Sequence, residues 1–92
     1  MTKLINADFL DVELKGKIRL AIADPPDNAG RKYEGYKDRM PIADYCKLME
    51  QWLVKTCEVT DGPVFWVFNE RYIPLVESII AINDITLVQR CW

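Results

Sequence analysis

The sequence predicts an α/β domain built on a parallel sheet with crossover helices, and three observations carry that reading. Two short apolar runs, IRLAIA at 18–23 and VFWVF at 64–68, have the continuous hydrophobicity of strands buried on both faces. A stretch of helical periodicity separates them, and a second such stretch follows VFWVF. Parallel neighbours need long crossover connections of this kind, whereas antiparallel ones close through short turns.

Taken in order, LINA at 4–7 has the composition of a short edge strand, and IRLAIA is bounded by Lys17 and Asp24. From 43 to 58, Tyr45, Leu48, Met49, Trp52 and Leu53 recur at i, i+3, i+4, i+7 and i+8, which places them on one helix face. Pro41 stands near the start of that helix. Asp44 falls in its first turn, where a carboxylate meets the positive end of the helix dipole. Asp61-Gly62-Pro63 breaks the chain before VFWVF. Asn69 is then placed to cap a helix from Glu70 to about Ile82, with Pro74 tolerable only in the first turn and Ile73, Val76, Ile79 and Ile80 as the buried stripe. Asn83 suits a helix stop, and ITLVQRC at 85–91 is β-branched enough for a third strand. The chain ends at Cys91-Trp92, in or just beyond that strand, so a further element is expected to continue the sheet.

Ninety-two residues make a single domain, 1–92, with room for one core. No apolar run approaches the twenty or so residues of a membrane span, and MTKLINADFL has no secretory signature, so the expected location is cytoplasmic. The three cysteines, Cys46, Cys57 and Cys91, share no CxxC spacing, and histidine is absent. Reduced, packed thiols are expected, with no metal site. A hydrolase triad is disfavoured as well, because histidine usually supplies its base. The net charge of −2 argues against a broad nucleic-acid footprint, but Arg31, Lys32, Lys37 and Arg39 face only Glu34 and Asp38. A small basic loop of this kind either touches phosphate or is simply solvated.

The chemistry concentrates in LAIADPPDNAG, residues 20–30. In a parallel α/β sheet ligands sit beyond the carboxyl ends of the strands, where Asp24-Pro25-Pro26-Asp27-Asn28 falls. Prolines lock φ and carry no N–H, so the turn offers carbonyl and carboxylate acceptors with few competing donors. That surface suits a group that donates hydrogen bonds, such as the exocyclic amino group of a base. If Asp24 and the Pro25 carbonyl accepted its two hydrogens, the nitrogen would be drawn towards a tetrahedral, more nucleophilic form without covalent catalysis. The competing reading of Asp-Pro-Pro is a rigid structural turn.

IRLAIADPPDN, followed by KYEGYKD, an amphipathic helix and GPVFWVFNERY, resembles the DNA amino-methyltransferases, whose catalytic motif is (D/N/S)PP(Y/F/W). The resemblance spans residues 4–92. It implies a three-layer, Rossmann-like partial parallel sheet, S-adenosylmethionine as cofactor and DNA as partner, with methyl transfer to the exocyclic amino group of adenine or cytosine. Asp24, Pro25, Pro26 and Asp27 match the catalytic positions. Asn6-Ala7-Asp8 is similar to the Gly-Asp that opens many members, which makes Asp8 a cofactor-side candidate. Asn28, Arg31, Lys32, Tyr33 and Tyr36 are the candidate substrate-binding residues.

Two departures stand out. Asp27 occupies the position where the family has an aromatic ring that stacks on the flipped base, leaving Tyr33 or Tyr36 as substitutes. The family's Phe-x-Gly-x-Gly cofactor loop does not occur. The sequence therefore supports the catalytic-motif half of such an enzyme, inactive alone and completed by a missing C-terminal half or a complementary chain. Two alternatives remain: a non-catalytic remnant or interaction module of the same fold, and an unrelated small α/β nucleotide-binding domain.

Overall fold

A computed structural model describes residues 5–14, 16–26, 28, 32–33, 36–37 and 40–86. Its elements are β1 (Ala21–Ala23), β2 (Lys32–Tyr33), β3 (Tyr36–Lys37), α1 (Ile42–Val59), β4 (Val64–Trp66) and α2 (Ile73–Ile82). Short 3-10 turns occupy Phe9–Asp11 and Glu70–Tyr72. Strand β1 pairs in parallel with β4, Ala21 opposite Val64, Ile22 opposite Phe65 and Ala23 opposite Trp66. An isolated parallel bridge joins Ile18 to Thr60 just before this ladder. The β1–α1–β4 crossover predicted from the sequence is thus present. A full three-layer sheet is not: among the described residues the parallel sheet has two strands.

The predicted stripe of α1 packs as periodicity requires. Tyr45, Met49 and Leu53 are buried, and Thr56 extends the row by donating its hydroxyl to the Trp52 carbonyl at 2.7 Å. Leu48 and Trp52 flank it, partly buried. Helix α2 answers with Val76 and Ile79, while Tyr72, which the sequence reading passed over, completes the core. Asn69 caps as expected, accepting from the Arg71 amide at 3.0 Å. The chain first makes a 3-10 turn and enters the α-helix at Ile73, so Pro74 lands in the first turn, where its missing N–H costs nothing. Asn83 ends α2: its side-chain amide nitrogen donates both to the Glu50 carboxylate at 2.9 Å and to the Ile79 carbonyl at 3.0 Å.

Three expectations need correction or fall outside view. IRLAIA and VFWVF were expected to be buried on both faces, yet Ile22 is 73% and Phe65 57% exposed, with Leu20 and Val67 also open. The core formed by α1 and α2 takes up Trp66 and Phe68 from one side of the sheet only, so the opposite side is bare. Residues 5–7 form no strand, because the Asp8 carboxylate accepts from the Leu10 amide at 2.9 Å and turns the chain into a 3-10 turn. Most of the expected third strand, including Cys91, lies outside the described residues. Cys46 and Cys57 are free thiols, partly buried. No described group of acids and thiols could hold a metal, and no described helix is long and apolar enough to cross a membrane.

Candidate active site at the Asp-Pro-Pro turn

Strand β1 runs out at Ala23 and the chain enters the turn at Asp24, which is exposed, followed by Pro25 and Pro26, both partly buried. Helix α1 fixes the turn from below. The hydroxyl of Tyr45, whose side chain is fully buried, donates to the Pro26 carbonyl at 2.6 Å. The Tyr45 ring is held in turn by Tyr72, at 4.9 Å between centroids, and by Trp52, edge-on at 6.4 Å. The Pro26 carbonyl is therefore taken, and it is not one of the two acceptors, Asp24 and the Pro25 carbonyl, that the sequence singled out. Among the described residues no hydrogen bond reaches the Asp24 carboxylate or the Pro25 carbonyl.

Asn28 closes the other side of the turn. It adopts φ +55°, a left-handed conformation that asparagine tolerates better than most residues. Its side chain grips the backbone of Met40 twice, accepting from the Met40 amide at 2.8 Å and donating to the Met40 carbonyl at 3.1 Å. This amide was a substrate-binding candidate; in the structure it fastens the ends of the segment that carries β2 and β3. These two strands form an antiparallel hairpin, with Lys32 in register with Lys37 and Tyr33 with Tyr36. Asp27 and Arg31 lie outside the described residues, and for Lys32, Tyr33 and Tyr36 the description stops at the backbone.

Asp8, far from the turn in sequence, is brought to the same place. Lys55 of α1 donates to the Phe9 carbonyl at 2.5 Å and the Val12 carbonyl at 2.6 Å, and its ammonium lies 4.7 Å from the Phe9 ring centre. That clamp lays the amino-terminal segment along α1. Asp8, Phe9, Asp24, Pro25 and Pro26 then line one groove of about 580 Å³, together with all of β1 and with Trp52 and Trp66. Two acids at the rim and a largely apolar interior suit a ligand with a flat apolar body and hydrogen-bond donors.

The sequence missed Tyr45 as a support of the turn, because a tyrosine at a core position of an amphipathic helix reads as packing alone. It also missed the hairpin, although KY and YK separated by two residues, one a glycine, are a recognisable hairpin pattern. Thr60 and Trp66 gave no sign in the sequence. Both line the groove, and each carries a buried polar atom without a hydrogen-bond partner, Oγ1 and Nε1 respectively.

Comparison with known proteins gives one relative. Over 53 residues the chain is 42% identical to the Type II methyltransferase M.MjaVI of Methanocaldococcus jannaschii, a match that covers 56% of this chain and 27% of that protein. No family model matches, and no solved structure matches. The match supports a methyltransferase relationship, and the small α/β architecture is consistent with one.

Proposed function

We propose that this chain supplies the amino-group-binding half of a DNA amino-methyltransferase. The observation that carries the reading is the state of the Asp-Pro-Pro turn: fixed by Tyr45 and Asn28, it leaves the Asp24 carboxylate and the Pro25 carbonyl as acceptors uncommitted among the described residues, beside the groove. An exocyclic amino group donating one hydrogen to each would be oriented with its nitrogen lone pair freed from the ring. Preorganised acceptors of this kind act without reorganising during the reaction. The hairpin β2–β3, joined to the turn through Asn28, is the nearest candidate to approach the DNA backbone. The 42% identity to a Type II methyltransferase supports the same reading.

The described residues do not by themselves fit S-adenosylmethionine. Asp8 and Asp24 suit its cationic and hydroxyl groups, but no lysine or arginine lines the groove to meet its carboxylate. Neither described glycine, Gly16 or Gly62, lines it to let backbone amides approach. The isolated chain is therefore expected to bind the cofactor weakly or not at all, and low-micromolar affinity by calorimetry would contradict this placement.

Methyl transfer to duplex DNA by this chain joined to the cofactor-binding part of a relative tests the function directly. Asp24→Ala should abolish transfer. Asp27→Tyr should raise it, since a ring offers a flipped base about 1–3 kcal/mol of stacking that a carboxylate lacks. If Asp24→Ala is as active as the unmodified chain, the turn is structural and the reading fails.

A further inference from the structure

The prolines settle most of the geometry of the Asp-Pro-Pro turn and leave one torsion open. A residue before proline is restricted to extended backbone, which holds both Asp24 and Pro25, and the rings fix φ of Pro25 and of Pro26. Residue 27 is not a proline, so ψ of Pro26 escapes that restriction. This torsion sets the direction of the Pro26 carbonyl, to which the Tyr45 hydroxyl donates at 2.6 Å. At the other end the Ala23 carbonyl accepts from the Val67 amide at 2.8 Å. Residues 24–26 are therefore a stiff unit pinned twice, to the β4 side through Ala23 and to α1 through Tyr45. The two acceptors of the proposed site, the Asp24 carboxylate and the Pro25 carbonyl, stand between the pins.

The pin on α1 is itself well fixed. The Tyr45 side chain is fully buried, its ring lies 4.9 Å from that of Tyr72 and 6.4 Å from that of Trp52, and its amide donates to the Pro41 carbonyl at 3.0 Å. Packing does not require the hydroxyl, since a phenylalanine ring would fill the same space. A hydroxyl at a core position carries a desolvation cost that a hydrogen bond must offset, and the Pro26 carbonyl offsets it from the turn. Tyr45 is not among the residues that line the groove.

We infer that Tyr45 is a positioning residue for methyl transfer: through the Pro26 carbonyl its hydroxyl holds the Asp24 carboxylate and the Pro25 carbonyl at the angle an exocyclic amino group requires, without touching the base. The inference rests on the methyltransferase reading. Without the hydroxyl the stiff unit keeps its shape and its attachment at Ala23 but turns about that end, so both acceptors move together. A reacting group misplaced by about 1 Å costs on the order of a hundredfold in rate.

The test uses the full chain joined to the cofactor-binding part of a relative, with S-adenosylmethionine and duplex DNA of mixed sequence. Tyr45→Phe should lower kcat and the single-turnover rate at least tenfold while KM for DNA stays within twofold. Ile79→Val removes one carbon from the same buried core on α2, away from the turn. It should lower the melting temperature yet leave kcat and KM within twofold. In the unjoined chain, Tyr45→Phe should shift the carbon resonances of the Asp24 carboxylate and the Pro25 carbonyl, which Ile79→Val should leave in place. An undiminished rate, a loss confined to KM, an equal loss in Ile79→Val, or unmoved resonances at Asp24 and Pro25 overturns the inference. So does a Tyr45→Phe chain that no longer folds, since the hydroxyl would then serve the core. Should Asp24→Ala abolish transfer while Tyr45→Phe does not slow it, this inference alone fails. Asp24→Ala as active as the unmodified protein removes the methyltransferase reading and the inference with it.

Discussion

Replacing Tyr45 with phenylalanine removes the hydrogen bond by which, among the described residues, the core holds the Asp-Pro-Pro turn. Phenylalanine keeps the ring, and with it the contacts to Tyr72 at 4.9 Å and Trp52 at 6.4 Å, so the packing term is nearly unchanged. What disappears is a 2.6 Å bond from a fully buried hydroxyl to the Pro26 carbonyl. A buried acceptor stripped of its donor costs about 1–3 kcal/mol. Pro26 is only partly buried, and water reaching its carbonyl places the cost in the lower half of that range. In a domain of this size each kcal/mol moves the melting temperature by about 4–8 °C. Thermal unfolding followed by circular dichroism should therefore show a loss of at least about 4 °C, with faster amide exchange at Asn28 and Met40. Tyr45→Ala, which also empties the core position, should cost about 3–5 kcal/mol. A Tyr45→Phe protein that melts within a degree of the unmodified chain would show that the turn is held by other means.

Three further outcomes follow from separate parts of the structure. A Cβ added at Gly62 would stand 2.1 Å from the Arg19 carbonyl oxygen, so Gly62→Ala should force β1 and β4 apart and lose about 1–3 kcal/mol in urea unfolding. Lys55→Met should free the Phe9–Asp11 turn, with faster amide exchange at residues 10–12 while α1 stays protected; a hydrogen bond from a charged group contributes about 1.5–3 kcal/mol. Burial, reinforced by the Glu58 carboxylate, pushes the Cys57 thiol above its ordinary value of 9.0. The stabilisation linked to that shift is present below pH 9 and is lost as pH rises through the folded value, so Cys57→Ala should flatten the alkaline fall in melting temperature.

The parts of the fold legible in the sequence were those governed by local periodicity. The helix of Tyr45, Met49 and Leu53 and the stop at Asn83 each depend on a few neighbouring residues and formed as read, whereas Asn69, read as the cap of a helix from Glu70, caps a 3-10 turn and the α-helix starts at Ile73. Burial of the strands was misjudged because an apolar run reports only that a strand suits burial. Whether its second face is covered depends on elements elsewhere, and here Ile22 and Phe65 remain open. The site was half legible for the same reason. Asp24, Pro25 and Pro26 stand together in sequence, but Tyr45, Met40 and Lys55 act across 12 to 46 positions, where no local pattern marks them.

The two consecutive prolines acquire a chemical purpose when Asp24 is set beside the other short acidic and amide side chains of the chain. Asp8 accepts from the amide two residues on, Leu10, and Asn69 does the same with Arg71. This is the usual habit of such residues at turns. For Asp24 the corresponding residue is Pro26 and the intervening one is Pro25, and neither has an N–H to offer. The carboxylate finds no donor in the two residues that follow it and, among the described residues, stays available to an external donor, while Tyr45 occupies the Pro26 carbonyl and keeps the frame still. Pro26→Ala should undo this arrangement. The new amide at position 26 would be captured by the Asp24 carboxylate and would exchange slowly, and Asp24→Asn in the same background would weaken that protection. Methyl transfer in the completed enzyme should fall with it, although the core and the Tyr45 bond to the carbonyl at 26 are left in place. An unprotected amide at position 26 together with undiminished transfer would mean that the prolines only shape the turn and that Asp24 owes its freedom to something else.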